Sequence, residues 1–324
     1  MAKLKVLVLN KFWPLTMGSY FIRALQRRED IDLKTAGQFS GAYIPWCQGM
    51  RVPEKYVYTP DIPLSIKMEV QEIDYNSVKI YLGDWKPDLI INTSSTCYWK
   101  DKPTDGYSVA IAIDPHVLNY DHARSVSDKF FNMQKVYSKE GDIYLPYAYD
   151  PTVHYEDDNQ SKIYDVCMVG LEYQHRVQLM NELRNRGLRC HISTGPIFDD
   201  YRKIYSQSHI GINWSSLDDL NARAFETPMM SIPVMNHVTD MEQLPFFLKS
   251  TQFLSDNSGG NNSKHVLGAV ERIMNIMDDL EGFKERTMQM REQMFYETYD
   301  ARVQQILDAC GFGEVRYVDG EFGG

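Results

Sequence analysis

The sequence predicts an α/β chain of two doubly wound domains. Three observations carry this. An apolar strand, a glycine, a helix and a second strand open the chain, and the same order restarts near residue 164. The polar stretch EDDNQSK at 156–162 separates the two starts. The length, 324 residues, exceeds what a single core ordinarily serves.

In chain order, Lys5 to Asn10 reads as a strand buried on both faces. Gly18-Ser19 then opens a helix running to about Arg28. There is no G-x-G-x-x-G here, only Gly18, so a dinucleotide fingerprint and the redox chemistry that goes with it lack support. Ile31 to Ala36 follows as a strand. Residues 40–65 are rich in Pro, Tyr and Gly and read as an irregular exposed segment. Tyr43, Trp46, Tyr56 and Tyr58 within it either stack on a ring-shaped ligand or form a small core of their own. Asp88 to Asn92 is a strand that ends in Thr93-Ser94-Ser95, and Tyr107 to Ile113 is another that ends in Asp114-Pro115-His116. Parallel sheets bind ligands at such carboxyl edges, so Asp114 and His116 are the first half's best candidates for chemistry. Lys135 to Ser138 reads as that half's last strand.

The second half repeats the plan. Tyr164 to Val169 is a strand, Gly170 follows it, and a helix runs from about His175 to Arg186. Strands at 188–193 and 209–213 come next. Asn213 to Asp219 is a polar loop, Leu220 to Met230 a helix, and Ile232 to Met235 a buried strand. Arg223 and Glu226 sit three apart on that helix, hence on one face. A plain reading makes them a surface ion pair and Asp218 a helix cap. The other reading makes the helix start, with its arginine, an anion site. Val266, Ala269, Val270, Ile273 and Ile276 recur at helical spacing and predict a core-facing C-terminal helix.

Composition narrows the class. At 43% hydrophobic and 24% charged the chain is ordinary for a globular protein. No apolar run approaches the ~18 residues of a membrane span. Val6 to Leu9 is too short for a leader and reads as a first strand. Five scattered cysteines predict neither a disulfide framework nor a zinc site, and point to a reducing, cytoplasmic setting. The net charge of −10 arises wholly after residue 150, since residues 1–150 hold 18 basic and 18 acidic side chains. A nucleic-acid binder ordinarily shows a basic footprint, which is missing here.

Several motifs together resemble a known family. Asp218, seven residues, Glu226 and then Pro233-Val234 are similar to the nucleotide-sugar loop of retaining glycosyltransferases with two Rossmann-like domains facing each other across a cleft, the GT-B architecture. Asn221-x-Arg223-x-Phe225-Glu226 resembles the signature of the spore-maturation (CgeB-like) branch. DIYLPYAYDP at 142–151 resembles its interdomain linker, and Thr298-Tyr299-x-x-Arg302 its closing helix. Two positions depart from the pattern: an aspartate stands first where glutamate is usual, and Ser231 stands where glycine is frequent.

The resemblance implies an N-terminal acceptor-side domain at 1–152, a nucleotide-sugar domain at 153–296, and a helix and tail at 297–324 that cross back to the first domain. It implies a UDP-linked sugar as co-substrate and transfer without a metal or other cofactor. Gly18, Gly170, Arg176, Asn213, Arg223 and Glu226 would bind the donor. Arg223 and Arg176 would hold the diphosphate, and Glu226 the ribose hydroxyls. Asp114, His116 and Asp218 would serve catalysis, the first two at the acceptor hydroxyl and Asp218 at the sugar ring. The acceptor stays open among a saccharide, a protein, a small molecule and a hydroxymethylated base in viral DNA; the last would place the protein in a host cytoplasm. A nucleotide-sugar epimerase and a non-catalytic coat relative are the competing readings.

Overall fold

Short apolar runs set between polar loops become the strands of two parallel sheets, each in its own part of the chain. The computed structural model describes all residues except 1, 15, 45–49, 66–70, 95, 216–218, 237, 239–251, 254–262 and 314–324. It divides into two compact units: Met1–Pro146 together with Tyr299–Gly324, and Tyr147–Thr298.

In the first unit the strands lie in the order Ile143–Tyr144, Lys129–Asn132, Tyr107–Ala112, Leu89–Asn92, Leu4–Leu9, Ile31–Gln38, Ile62–Leu64. All of these neighbours pair in parallel. The interior strand Leu4–Leu9 is covered on both faces, and Val6 to Leu9 are fully buried. From Leu4–Leu9 the chain first builds outward to Ile31–Gln38 and Ile62–Leu64, then returns to the other side at Leu89–Asn92. The order therefore reverses between Leu4–Leu9 and Leu89–Asn92, and the carboxyl ends of these strands are where α/β proteins bind ligands.

Two sequence expectations change here. Lys135–Tyr137 is a turn of 3-10 helix, not a strand. Val136 and Tyr137 are exposed and have no core to face, whereas Phe130 and Phe131 of Lys129–Asn132 are buried and supply the strand. The segment 40–65 is also less irregular than its composition suggests, because Ile62 is buried and pairs with Ala36 at the sheet edge. Tyr58, half-buried, stacks on Phe12 at 5.6 Å, while Trp46 lies outside the described residues.

The helix Tyr299–Ala309 belongs to this first unit, packed on the helix Gly18–Gln26. Tyr299 is fully buried, stacked on Tyr20 and edge-on to Phe21, both at 5.1 Å. Arg302, also buried, donates from Nε to the carbonyl of Pro146 at 2.9 Å.

The second unit's sheet runs Cys190–Ser193, Tyr164–Val169, Ser208–Asn213, Ile232–Asn236, Gln252–Phe253, again parallel. Its core joins Val166, Ile210, Ile212 and Val234 to Leu179, Met180 and Leu183 of the helix Gln174–Asn185 and to the predicted apolar face of Ser263–Asp278. Its strand order reverses between Tyr164–Val169 and Ser208–Asn213. The helix predicted over 220–230 is shorter: Arg223–Glu226, then a 3-10 turn at Thr227–Met229. Pro228 has no N–H to continue the α-helical ladder, which explains the change. Among the described residues no helix is long and apolar enough to cross a membrane.

Candidate functional site

The strands Tyr164–Val169 and Ser208–Asn213 end side by side at the reversal of the second sheet. Gly170 leaves the first of them at φ +151°, a conformation side chains rarely adopt. A Cβ there would lie 2.7 Å from Nη1 of Arg223 and 3.7 Å from Nη1 of Arg176. Two guanidinium groups thus converge over one glycine.

Each is held by neutral oxygens. Arg223 donates from Nη1 to the carbonyl of Val169 at 3.1 Å and from Nε to Oδ1 of Asn213 at 3.5 Å, spanning the two strand ends. Arg176 donates to the carbonyls of Leu171, at 2.9 Å, and Trp214. Its side chain is 3% exposed, and its Nε has no hydrogen-bond partner. Among the described residues neither arginine forms an ion pair with a carboxylate. Burial, and then the neighbouring Arg223, pull the Arg176 guanidinium down to about 9, still charged at neutral pH. Burial, and then Arg176, lower His175, whose ring lies 4.8 Å from that of Trp214. Arg176 thus bears both a desolvation cost and the repulsion of a neighbouring cation, and an anion placed between the two guanidinium groups relieves both.

Glu226 takes a separate place. It is mostly buried, accepts from the Tyr201 hydroxyl at 3.0 Å and lies 3.8 Å from Nε2 of His154. Arg223 and Glu226 therefore do not form the surface ion pair of the plain reading, because each points to its own set of partners. Burial, then Tyr205, then Glu226 hold the Tyr201 phenol well above its usual range, so it remains a hydrogen donor. The cap of the short helix comes from Asn221, whose Oδ1 accepts the N–H of Arg223 at 3.1 Å. At four residues this helix is too short to act as an anion site through its dipole, so its contribution is the arginine itself. Asp218 lies outside the described residues.

The structure thus gathers Gly170, Arg176, Asn213 and Arg223, with Glu226 one helical turn away on the same short helix. The first unit's candidates follow the carboxyl ends of two strands of its sheet, Leu4–Leu9 and Tyr107–Ala112, with Leu89–Asn92 between them. Gly18 begins its helix at the reversal of the first sheet, where a Cβ would fall 2.3 Å from Oδ1 of Asn10 and 2.4 Å from Oγ1 of Thr93. Close packing explains that glycine. Asp114 and His116 follow the strand Tyr107–Ala112; the backbone carbonyl of Asp114 accepts from Val117 and Leu118, both at 3.1 Å. Nδ1 of His116 is buried without a hydrogen-bond partner, and its ring centroid lies 6.0 Å from that of Tyr137.

Sequence reasoning missed His154 and Tyr201. His154 follows the Asp-Pro of the linker motif by three residues, and Tyr201 sits on the buried face of Phe198–Ser206. Neither neighbours Glu226 in sequence, so only a contact between distant segments could have revealed them. The described cysteines are inert: burial raises Cys97 and Cys167 to about 12 and Cys190 and Cys310 to about 11.

No family model matches the chain, and no curated protein does. Solved structures do. A glycosyltransferase from Rickettsia africae ESF-5 superposes with a TM-score of 0.63 at 8% identity, covering 97% of this chain and 99% of that one. An alpha-glucosyltransferase in complex with UDP-glucose and DNA containing an abasic site gives 0.56 at 10% identity, covering 97% and 100%. A UDP-N-acetylglucosamine 2-epimerase from Listeria monocytogenes, described as putative, gives 0.51 at 13% identity, covering 96% of each. At these identities the likeness is one of fold: this chain has the Rossmann-like α/β fold of GT-B glycosyltransferases.

Proposed function

We propose that this chain is a glycosyltransferase that moves a sugar from a nucleotide donor, UDP-linked, to a hydroxyl acceptor. One observation carries the reading: a buried guanidinium, Arg176, and a half-buried one, Arg223, meet over Gly170 at the reversal of a parallel sheet, and among the described residues neither is ion-paired with a carboxylate. An anion with two adjacent charged groups matches that arrangement, and a nucleoside diphosphate is such an anion. The fold neighbour solved with UDP-glucose supports the choice of donor.

In the reaction the bond between the anomeric carbon and the diphosphate oxygen breaks, and its electron pair stays on the diphosphate. A bond from the acceptor oxygen to the anomeric carbon forms, and the acceptor hydroxyl loses its proton. Arg176 and Arg223 stabilise the charge that builds on the leaving group, and their donors are fixed beforehand by Trp214, Leu171, Val169 and Asn213. Two guanidinium groups suffice for this role, so we read the transfer as metal-independent. Glu226 accepts from the ribose hydroxyls, and Asp218 orients the sugar. Asp114 or His116 takes the acceptor proton; the unpartnered Nδ1 of His116 supports that assignment. Retention of anomeric configuration follows from the resemblance in the loop around Glu226.

The test is calorimetric titration with UDP and UDP-glucose, followed by hydrolysis and transfer assays. Wild type should bind UDP, and Arg223→Ala should weaken binding about 10-fold or more, in line with loss of a charge-assisted contact of ~1.5–3 kcal/mol. Absence of binding to every nucleotide and nucleotide sugar tried would sink the proposal. Release of a 2-epimer of the sugar nucleotide, with no free UDP, would instead favour the epimerase reading that the Listeria likeness supports.

A hydroxymethylated base in DNA is a second reading of the acceptor. A neighbour of 10% identity was solved with UDP and DNA containing a HMU base. The evenly balanced charge of residues 1–150 gives DNA little electrostatic help. Transfer of labelled glucose to hydroxymethylated DNA, absent with unmodified DNA, decides it.

A further inference from the structure

Glu226 is held from the protein side by two residues that lie far from it in the chain. Tyr201 donates to Oε2 at 3.0 Å, and Nε2 of His154 stands 3.8 Å from Oε1. His154 is fully buried, with its ring edge-on to that of Tyr201, the centroids 5.9 Å apart. Its other ring nitrogen settles the tautomer. Nδ1 accepts the backbone N–H of Asp150 at 2.9 Å, so the proton of the neutral ring sits on Nε2 and faces Glu226. The turn that presents the ring is closed twice more: the N–H of His154 donates to the Asp150 carbonyl at 2.8 Å, and Oδ1 of Asp150 accepts from the N–H and hydroxyl of Thr152 at 3.0 and 2.8 Å.

A carboxylate on a flexible side chain loses binding strength if it must be ordered when a ligand arrives. Here it accepts one O–H, from Tyr201, and has the His154 N–H 3.8 Å away, and both groups sit on buried rings. A carboxylate has about four lone-pair sites. The two rings address one on each oxygen, which leaves one on each for a pair of neighbouring hydroxyls. We infer that His154 is a positioning residue for the nucleotide site: with Tyr201 it clamps the Glu226 carboxylate so that its free lone pairs face the ribose diol. The inference rests on the nucleotide reading above. A separation of 3.8 Å is long for a hydrogen bond, and contacts of this kind tighten when a ligand fixes the carboxylate. His154 thereby determines how well the site distinguishes a ribonucleotide from a diphosphate without a diol, while the guanidinium pair binds the diphosphate in either case.

The test compares three probes by calorimetry: UDP, 2′,3′-dideoxy-UDP and inorganic pyrophosphate. His154→Asn keeps an acceptor for the Asp150 N–H but is too short to reach Glu226. His154→Gln restores a donor near the place of Nε2. Both are checked for folding by circular dichroism. Wild type should prefer UDP to the dideoxy form. His154→Asn should lose about 10-fold in UDP affinity, equivalent to ~1.4 kcal/mol, and leave the other two probes unchanged. His154→Gln should recover most of that loss, and His154→Asn should add nothing to Glu226→Ala. Unchanged UDP affinity in His154→Asn, or an equal loss for all three probes, overturns the role of His154 while leaving the nucleotide site standing. If wild type binds pyrophosphate but not UDP, or binds neither, the nucleotide reading falls and takes this inference with it.

Discussion

The Arg223 guanidinium reaches back 3.1 Å to the carbonyl of Val169, the last residue of the strand that Gly170 follows, and so lies directly over that glycine. Replacing Gly170 with alanine would place a Cβ 2.7 Å from Nη1, too close for that atom to stay, on a backbone at φ +151°. Strain of ~1–3 kcal/mol is expected at such a position. Gly170→Ala should lower the unfolding midpoint of the second unit and weaken UDP binding together. A variant with wild-type UDP affinity would show that Arg223 is not held where binding requires it.

Tyr201 offers a milder perturbation. Tyr201→Phe removes the 3.0 Å bond to Glu226 and leaves a mostly buried carboxylate with one donor fewer. The cost to stability should be ~1–3 kcal/mol, that of an unsatisfied buried group. The Kd for UDP should rise several-fold while that for pyrophosphate stays put. Denaturant unfolding and calorimetry separate the two effects, and no change in either would contradict the described geometry.

Acid should weaken the second unit in two phases. Burial lowers His175, His191 and His209 below the ordinary 6.5, reinforced first by Arg176, Arg184 and Lys162 respectively. The unfolded chain then takes up protons from about pH 6.5 downward while the folded state does not, so stability falls as pH drops through that window. Above it the contribution is flat. Asp165 adds the second phase: its hydrogen bond to Arg189 keeps its pKa below 3.8, and the stability it gives is lost as pH falls through that range. Urea midpoints at pH 7.5, 6.5 and 5.5 check the first phase, and a flat series would refute it.

Tyr299 should be a keystone of the first unit. It is fully buried between Tyr20 and Phe21. Tyr299→Ala should cost ~3–5 kcal/mol, as large aromatic truncations in cores do. The loss belongs to the first unit, so calorimetry should show one transition moving down and the other staying. Parallel movement of both would mean that the two units unfold together.

What the sequence made legible follows from range. Val6 to Leu9, Asp88 to Asn92 and Tyr164 to Val169 could be read because a strand buried on both faces leaves a continuous apolar run. Gly170 and Arg176 were placed on a strand end and a helix start by the pattern, and only the family resemblance singled them out together with Arg223 as donor-site candidates. Lys135 to Ser138 misled because Val136 and Tyr137 look like strand residues but face solvent. The pattern over 220–230 suggests a longer helix than Arg223–Glu226 because its apolar spacing continues past Pro228, where the α-helical ladder stops. His154 and Tyr201 were invisible for another reason. Each meets Glu226 across a gap of twenty-five residues or more, and no local pattern records such a meeting.

The placement of Tyr299–Ala309 in the unit that begins at the N-terminus has a consequence for biosynthesis. On a ribosome the segment Tyr147–Thr298 emerges whole and can consolidate while its predecessor still waits for a partner helix. The unit made first is completed last. Until residue 299 is synthesised, Phe21 and its neighbours lack their cover, and the nascent chain is most exposed to aggregation and to chaperone capture in that interval.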